Sequence, residues 1–402
     1  MRITTVIAGL GGGGAERVCV NLANAWAARG WDVTILTVSQ RTATPAYAID
    51  SCVRRRDIGW PRGADPKELN ANSLAPLLRG LHGVACFEII REMPLLAMLR
   101  YAILATTPNV VVAHIDFTNV RVLAAMHETG VPVIVCEHTD TSQVSIGSWQ
   151  NTREALYRRA PAVVAPHPTI AEWLKWRGAR AYAIPNPLNA PPLIRVERTG
   201  ERRRLVTLTR LSPEKRVDLL VRAFASILGD FPEWDLEVYG NGPLRVPLAR
   251  LVEELAPGRV ELRGFTNAPY AILAGADLFV SASWVEGFGN AIWEALACGV
   301  PVVAMDCGAP VHSLVRDGVD GLIVYTDSTE ALAGALASLM GNEMARNPLA
   351  ARASEVLTRF AFESSLQAWD ALLDDVAGRR EVQRDVSELV TMRHGEGLVM
   401  DS

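Results

Sequence analysis

Leu278-Phe-Val-Ser-Ala282 runs directly into Ser283-Trp-Val-Glu286-Gly-Phe-Gly-Asn290-Ala-Ile-Trp-Glu294-Ala-Leu-Ala-Cys-Gly299. The first five residues are apolar and end in small residues, so they read as a short buried strand. Gly287 and Gly289 let the backbone turn sharply and come close to a ligand. Asn290 is placed to cap the helix that follows, and Gly299 to end it. The unit is therefore strand, glycine loop and helix N-terminus, with Glu286 at the mouth of the loop and Glu294 one turn inside the helix.

A helix N-terminus attracts anions, phosphates above all. Carboxylates beside a bound phosphate would repel it, so Glu286 and Glu294 are better accounted for as acceptors for hydroxyl groups. A ligand with both a diphosphate and several hydroxyls, a nucleotide-sugar, meets both demands. Capping or a surface salt bridge is the plain alternative for either glutamate. Glu286 and Glu294, with Gly287, Phe288, Gly289 and Asn290 between them, resemble the Glu-x7-Glu signature of the retaining glycosyltransferases of family 4. The resemblance implies a GT-B fold: two Rossmann-like parallel-sheet domains facing across a cleft, with the donor held mainly by the second. It brings Gly289, Asn290, Ala291 and Glu294 to the donor and Glu286 to the transferred sugar.

The alternation of strand and helix extends outward from this unit. Strands are expected at 3–8, 32–38, 110–113 and 133–136 and a helix at 15–29, then strands at 205–209, 235–239, 260–262, 278–282 and 302–305 with helices at 217–228 and 246–255. Such alternation predicts an α/β chain with parallel sheets and helices on both faces. Pro185-Asn186-Pro187 and Pro191-Pro192 interrupt it. They divide the chain into 1–190, the acceptor-side domain, and 191–378, the nucleotide-sugar domain. Beyond Gly378 the chain turns charged and loses periodicity, so 379–402 is expected to be a mobile tail.

The totals agree with two cored domains: 402 residues, 49% hydrophobic and 21% charged. A net charge of −4 gives no argument for nucleic acid. Cys19, Cys52, Cys86, Cys136, Cys298 and Cys307 are scattered without a CxxC pair or metal-ligand spacing. Reduced thiols in a cytoplasmic protein, with no metal and no cofactor, are the expectation. The first residues enter a glycine turn at once, unlike a signal peptide, and no apolar run reaches the roughly 18 residues of a membrane span.

Four further motifs carry chemistry. Gly9-Leu-Gly11-Gly12-Gly13-Gly14 fits G-x-G-x-x-G, but a dinucleotide site also wants an acid at the end of the second strand, where this chain has Ser39-Gln40-Arg41. An NADP-dependent oxidoreductase is thus one alternative. In the family reading, Gly13-Gly14-Ala15-Glu16-Arg17 resembles a motif of the acceptor-side domain whose backbone amides face the donor diphosphate. Arg210 at a strand end and Lys215 near a helix start can point two cations at a leaving diphosphate, which stabilises its growing charge without a metal. Both match the family's phosphate-binding pair.

Gly240 in Tyr239-Gly-Asn-Gly-Pro243 and the pair Gly264-Phe265 resemble the family's nucleotide-side loops. His138, after a buried strand, corresponds to the histidine facing the transferred sugar. His114 is a candidate near the acceptor, with Glu16, and Asn186 for the cleft lining. Residues 81–105 read first as a core helix and second as an amphipathic membrane-facing element, reinforced by Arg153, Arg158 and Arg159.

The expected activity is transfer of a sugar, with retention, from a nucleotide-sugar (a UDP-sugar first) to a saccharide or lipid-linked acceptor. The expected place is the cytoplasm or the inner face of the cytoplasmic membrane. A non-catalytic partner subunit of GT-B shape would bind the same nucleotide-sugar, and so would a nucleotide-sugar epimerase, which needs no acceptor.

Overall fold

The computed structural model describes residues 1–40, 44–59, 87–192 and 202–395, with side chains throughout except at 87–88 and 379–395. Arg41 and residues 81–86 and 396–402 lie outside that description.

Two parallel sheets organise the chain. The first contains β1 (Arg2–Ile7), β2 (Asp32–Thr37), β3 (Arg54–Asp57), β4 (Val110–His114), β5 (Val133–Cys136), β6 (Ala162–Ala165) and β7 (Ala181–Ala183), in the order β3-β2-β1-β4-β5-β6-β7. The second contains β8 (Arg203–Leu208), β9 (Trp234–Tyr239), β10 (Val260–Gly264), β11 (Leu278–Ser281), β12 (Val302–Met305) and β13 (Gly321–Val324), in the order β10-β9-β8-β11-β12-β13. Central strands such as Val110–His114 and Val302–Met305 are buried on both faces, as near-continuous apolar runs require.

Strand order reverses between β1 and β4 in the first sheet and between β8 and β11 in the second, with registers Ile3↔Val110 and Leu278↔Leu205. A reversal opens a crevice beyond the carboxyl ends of the strands, where ligands of such sheets bind. At or beyond those strand ends lie the glycine loop after β1, His114 at the end of β4, Arg210 and Lys215 after β8, and Glu286 after β11. Topology alone thus gathers the motifs found in the sequence into two facing crevices.

The last helix, Phe362–Gly395, leaves the second core and returns to the first. Its Leu366, Trp369, Leu372, Leu373 and Val376 pack with Leu22, Trp26 and Val33 under the first sheet. Trp26 and Trp369 meet edge-to-face at 5.8 Å, and Arg29 bonds Asp370 at 2.9 Å. Residues 362–378, placed with the second domain by the division at 191, therefore pack on the first. The backbone continues helical to Gly395, past the point where sequence periodicity fades.

The core reading of segment 81–105 holds for its described part. Helix Met93–Leu104 buries Met93, Leu95, Leu96, Leu99 and Ile103. Arg153, enlisted above for a membrane-facing surface, is instead buried and donates to Gln150 Oε1 at 2.9 Å. Among the described residues, no helix is long and apolar enough to cross a membrane.

Candidate active site

The two crevices meet, and the chain's own charges close one end of the resulting cleft. Arg17, on the first turn of helix Gly14–Ala28, forms an ion pair with Glu294 of helix Asn290–Ala297 in the other domain, and both are buried. The guanidinium lies 4.9 Å from the Tyr47 ring centroid and 5.3 Å from that of Tyr270. Tyr270 Oη donates to the Asn189 carbonyl at 2.7 Å. Burial pushes the Glu294 carboxyl up, and Arg17 offsets part of that push. Arg17 itself is held charged by Glu294 against its own burial.

Close approach of the domains here depends on glycine. A Cβ at Gly12 would lie 1.7 Å from the Phe265 ring, so the glycine loop seats that ring. Gly289, at φ 94°, caps the helix that the sequence assigned to an Asn290 cap. Asn290 is instead the first helical residue, and its side chain is spent across the cleft. Nδ2 donates to the Gly14 carbonyl at 3.2 Å, and Oδ1 accepts from Asn186 Nδ2 at 2.8 Å. Gly240 N–H donates to the Gly264 carbonyl at 2.7 Å, joining the loops after β9 and β10 on the same side. Glu16 is raised by burial, and the exposed Arg210 guanidinium pulls it back through its charge.

The other end is open. Lys215 Nζ bonds Glu286 Oε1 at 2.7 Å, both side chains remaining about one-fifth exposed at 19% and 18%. They stand in a cleft of about 370 Å³. His138, Thr139, Gln143, Val144 and Ser145 of the first domain face Glu214, Trp284, Val285 and Gly287 of the second there. Gly287 packs on the His138 backbone so tightly that a Cβ would lie 2.4 Å from its carbonyl oxygen. Ala291 lines a smaller recess behind Glu286 and Lys215.

His138 is positioned from behind. Its Nε2 lies 3.1 Å from His114 Nδ1, with the two ring planes 24° from parallel, so one ring donates to the other. Burial lowers both, His138 to about 4 and His114 well below its usual value. Both imidazoles are neutral near pH 7, so His138 can orient a hydroxyl but is no standing cation. His114, Cys136 and His138 place one donor atom each within 4.8 Å. The sequence suggested no metal, because these positions have no ligand spacing along the chain.

Beneath the loop, the buried Glu137 accepts from Tyr157 Oη, and burial pushes its carboxyl up to about 7. Asn119 Nδ2 donates to the Cys136 carbonyl at 3.0 Å and to Tyr157 Oη at 3.2 Å. This network fixes the wall that carries His138.

The structure thus brings together Glu286, Lys215 and His138 at one end, and Glu294, Asn290, Gly14, Glu16 and Phe265 at the other. His114 is fully buried behind His138 rather than lining an acceptor surface. Sequence reasoning missed Arg17, Tyr47, Tyr270, Glu137 and Trp284. Arg17 sits inside a quoted motif and Trp284 inside the opening stretch, so position along the chain was the available signal for those two. Phe265 and Asn290 of the other domain approach Gly12 and Gly14 of the glycine loop, which stays exposed at Gly11, Gly12 and Gly14.

Comparison with known proteins follows the same two halves. Residues 12–190 match the family described as Glycosyltransferase Family 4, and residues 202–342 match Glycosyl transferases group 1. An exopolysaccharide phosphotransferase of Streptomyces coelicolor is 30% identical over 400 residues, 94% of this chain. The chain spans only 41% of that relative's length. An α-1,4-N-acetyl-D-galactosaminyltransferase of Campylobacter jejuni, named for an undecaprenol-diphosphate-linked glycan, is 24% identical over 378 residues, 94% of this chain and 99% of its own length.

Among solved structures, Staphylococcus aureus TarM in complex with fondaparinux, α-GlcNAc-glycerol and UDP superposes with TM-score 0.74 at 12% identity, covering 93% of this chain and 99% of that one. Anabaena HepE in complex with UDP and glucose does so at 0.73 and 19% identity, covering 92% and 99%. At these identities the structural likeness establishes the fold. Both halves are thus matched in order, residues 12–190 as a Glycosyltransferase Family 4 domain and residues 202–342 as a Glycosyl transferases group 1 domain, and the two parallel-sheet domains meet at one cleft in the GT-B arrangement of these neighbours.

Proposed function

We propose that the enzyme moves a sugar, with retention, from a UDP-sugar to a saccharide or lipid-linked acceptor in cell-surface polysaccharide or glycolipid synthesis, without a metal or other cofactor. The observation that carries this reading is the pairing of each carboxylate with a cation that a nucleotide-sugar can replace. Ribose hydroxyls take the place of Arg17 on Glu294, and sugar hydroxyls take that of Lys215 on Glu286. Lys215, so released, joins Arg210 on the diphosphate, where fixed cations stabilise the charge that grows as the sugar–phosphate bond breaks. The UDP complexes of HepE and TarM and the undecaprenol-linked substrate in the C. jejuni relative's name support the choice of donor and acceptor class.

Under this proposal no side chain attacks the anomeric carbon: Glu286 holds sugar hydroxyls, and the neutral His138 orients one. In this reading the bond between the anomeric carbon and the diphosphate oxygen breaks first. The departing phosphate oxygen then takes the acceptor hydroxyl proton, and the new bond forms on the same face. Glu286 supports positive charge at the anomeric carbon. UDP release measured over a panel of nucleotide-sugars, with the product anomer assigned by NMR, tests it. An inverted product overturns retention, and activity lost to a chelator overturns metal independence.

A peripheral membrane contact belongs to the same proposal. Ile90, Tyr101 and Leu104 are large exposed apolar groups on helices Phe87–Arg91 and Met93–Leu104. Failure to float with anionic vesicles would remove this part alone.

A further inference from the structure

Resting on the saccharide-acceptor reading, we infer that the indole of Trp284 is the stacking platform for the acceptor's pyranose ring. Trp284 is 49% exposed, while its neighbours Ser283 and Val285 are buried at 3% and 5%. Its backbone N–H is held by the Glu214 carbonyl at 3.1 Å. The ring is therefore presented to solvent by an anchored backbone. It offers a large, rigid apolar face with a polar edge, the kind of surface that binds a ring with one apolar side.

Its place in the cleft selects the ligand fragment. The nucleotide end lies at Glu294, Phe265 and Arg17, whereas Trp284 stands beside Glu286 in the open cleft, facing Gln143, Val144 and Ser145 of the first domain. A donor whose ribose sits at Glu294 and whose sugar sits at Glu286 leaves the Trp284 wall to the partner that attacks the sugar. The lining there pairs one aromatic face with an amide and a hydroxyl. A pyranose matches it, with C–H groups on its faces and hydroxyls round its rim. A second phosphate group does not, because the indole face offers it no charge and the cation in that lining, Lys215, is assigned above to the donor's own diphosphate.

The experiment compares wild type, Trp284→Phe and Trp284→Ala with UDP-sugar donor and a panel of octyl glycosides of glucose, N-acetylglucosamine and N-acetylgalactosamine as acceptors. The KM for the octyl glycoside is expected to rise on the order of tenfold in the Ala variant and far less in the Phe variant, with the donor KM moving less than about twofold. An unchanged acceptor KM in Trp284→Ala overturns the inference. A donor KM that rises as much as the acceptor KM also overturns it, by placing the indole on the donor. Saturation-transfer NMR of the same glycosides with UDP-loaded wild type separates the two levels of failure. A wild type that binds none of them sinks the saccharide-acceptor reading, whereas binding that Trp284→Ala leaves intact sinks the platform alone.

Discussion

Glu286 and Glu294 belong to one loop and the helix it enters, yet they are held in opposite ways. Glu294 is buried and its cation, Arg17, comes from the other domain. Glu286 is partly exposed and its cation, Lys215, comes from its own domain. The Glu294 pair therefore bridges the two domains, while the Glu286 pair lies within one. The difference teaches that, under the proposed function, the nucleotide must break a pair that bridges the domains and the sugar a pair held within one.

The largest expected effect tests the sugar end. Glu286→Ala should lower transfer by about a hundred- to a thousandfold, the scale of losing one preorganised charge contact in a transition state. Near-normal turnover would refute its role at the anomeric carbon. Next comes the nucleotide end: Arg17→Ala strands the buried Glu294 carboxylate and should destabilise the ligand-free protein by roughly 3–5 kcal/mol. UDP should recover part of that loss, so thermal melting with and without UDP is the measurement. A variant that melts with wild type, unaffected by UDP, breaks the comparison. Gly287→Ala pushes a methyl against the His138 carbonyl and opens the sugar end by a fraction of an ångström. Activity should fall about a hundredfold, as misplacements near 1 Å do, with the fold retained by circular dichroism.

The smallest effect concerns the wall itself. Glu137 sits at about 7 in the fold against an ordinary 4.5, so the folded state holds the extra proton. Its contribution to stability is full below 4.5 and is lost as pH rises to about 7. The neutral His114–His138 pair acts oppositely, losing stability as pH falls below 6.5. Glu137→Gln removes only the first contribution, so its melting temperature should gain on wild type as pH rises from 4.5 to about 7 and hold a constant lead above. A constant difference over the whole range would show that Glu137 does not titrate there.

Local pattern made much of this legible. β5 and β12 fall where apolar runs predicted them, and Glu286, Lys215, Arg210 and His138 all follow strand ends that the sequence located. β3 escaped because Arg54-Arg-Arg-Asp57 is an exposed edge strand with no apolar alternation. Arg17–Glu294 escaped for another reason. The pair is 277 positions apart and exists only when two separately folded sheets dock. Asn290 shows the same limit, since local rules assign it a cap and the opposite domain takes its side chain instead. Chemistry set by one loop can be read locally, whereas chemistry shared between domains requires the docked structure.

The return of the last helix to the first domain has a mechanical consequence. The polypeptide crosses between the domains twice, once after β7 and once before Phe362, and the second crossing is locked down by Trp369 against Trp26. One tether would permit a swivel in any direction. A second tether, packed onto the first domain, restricts that swivel.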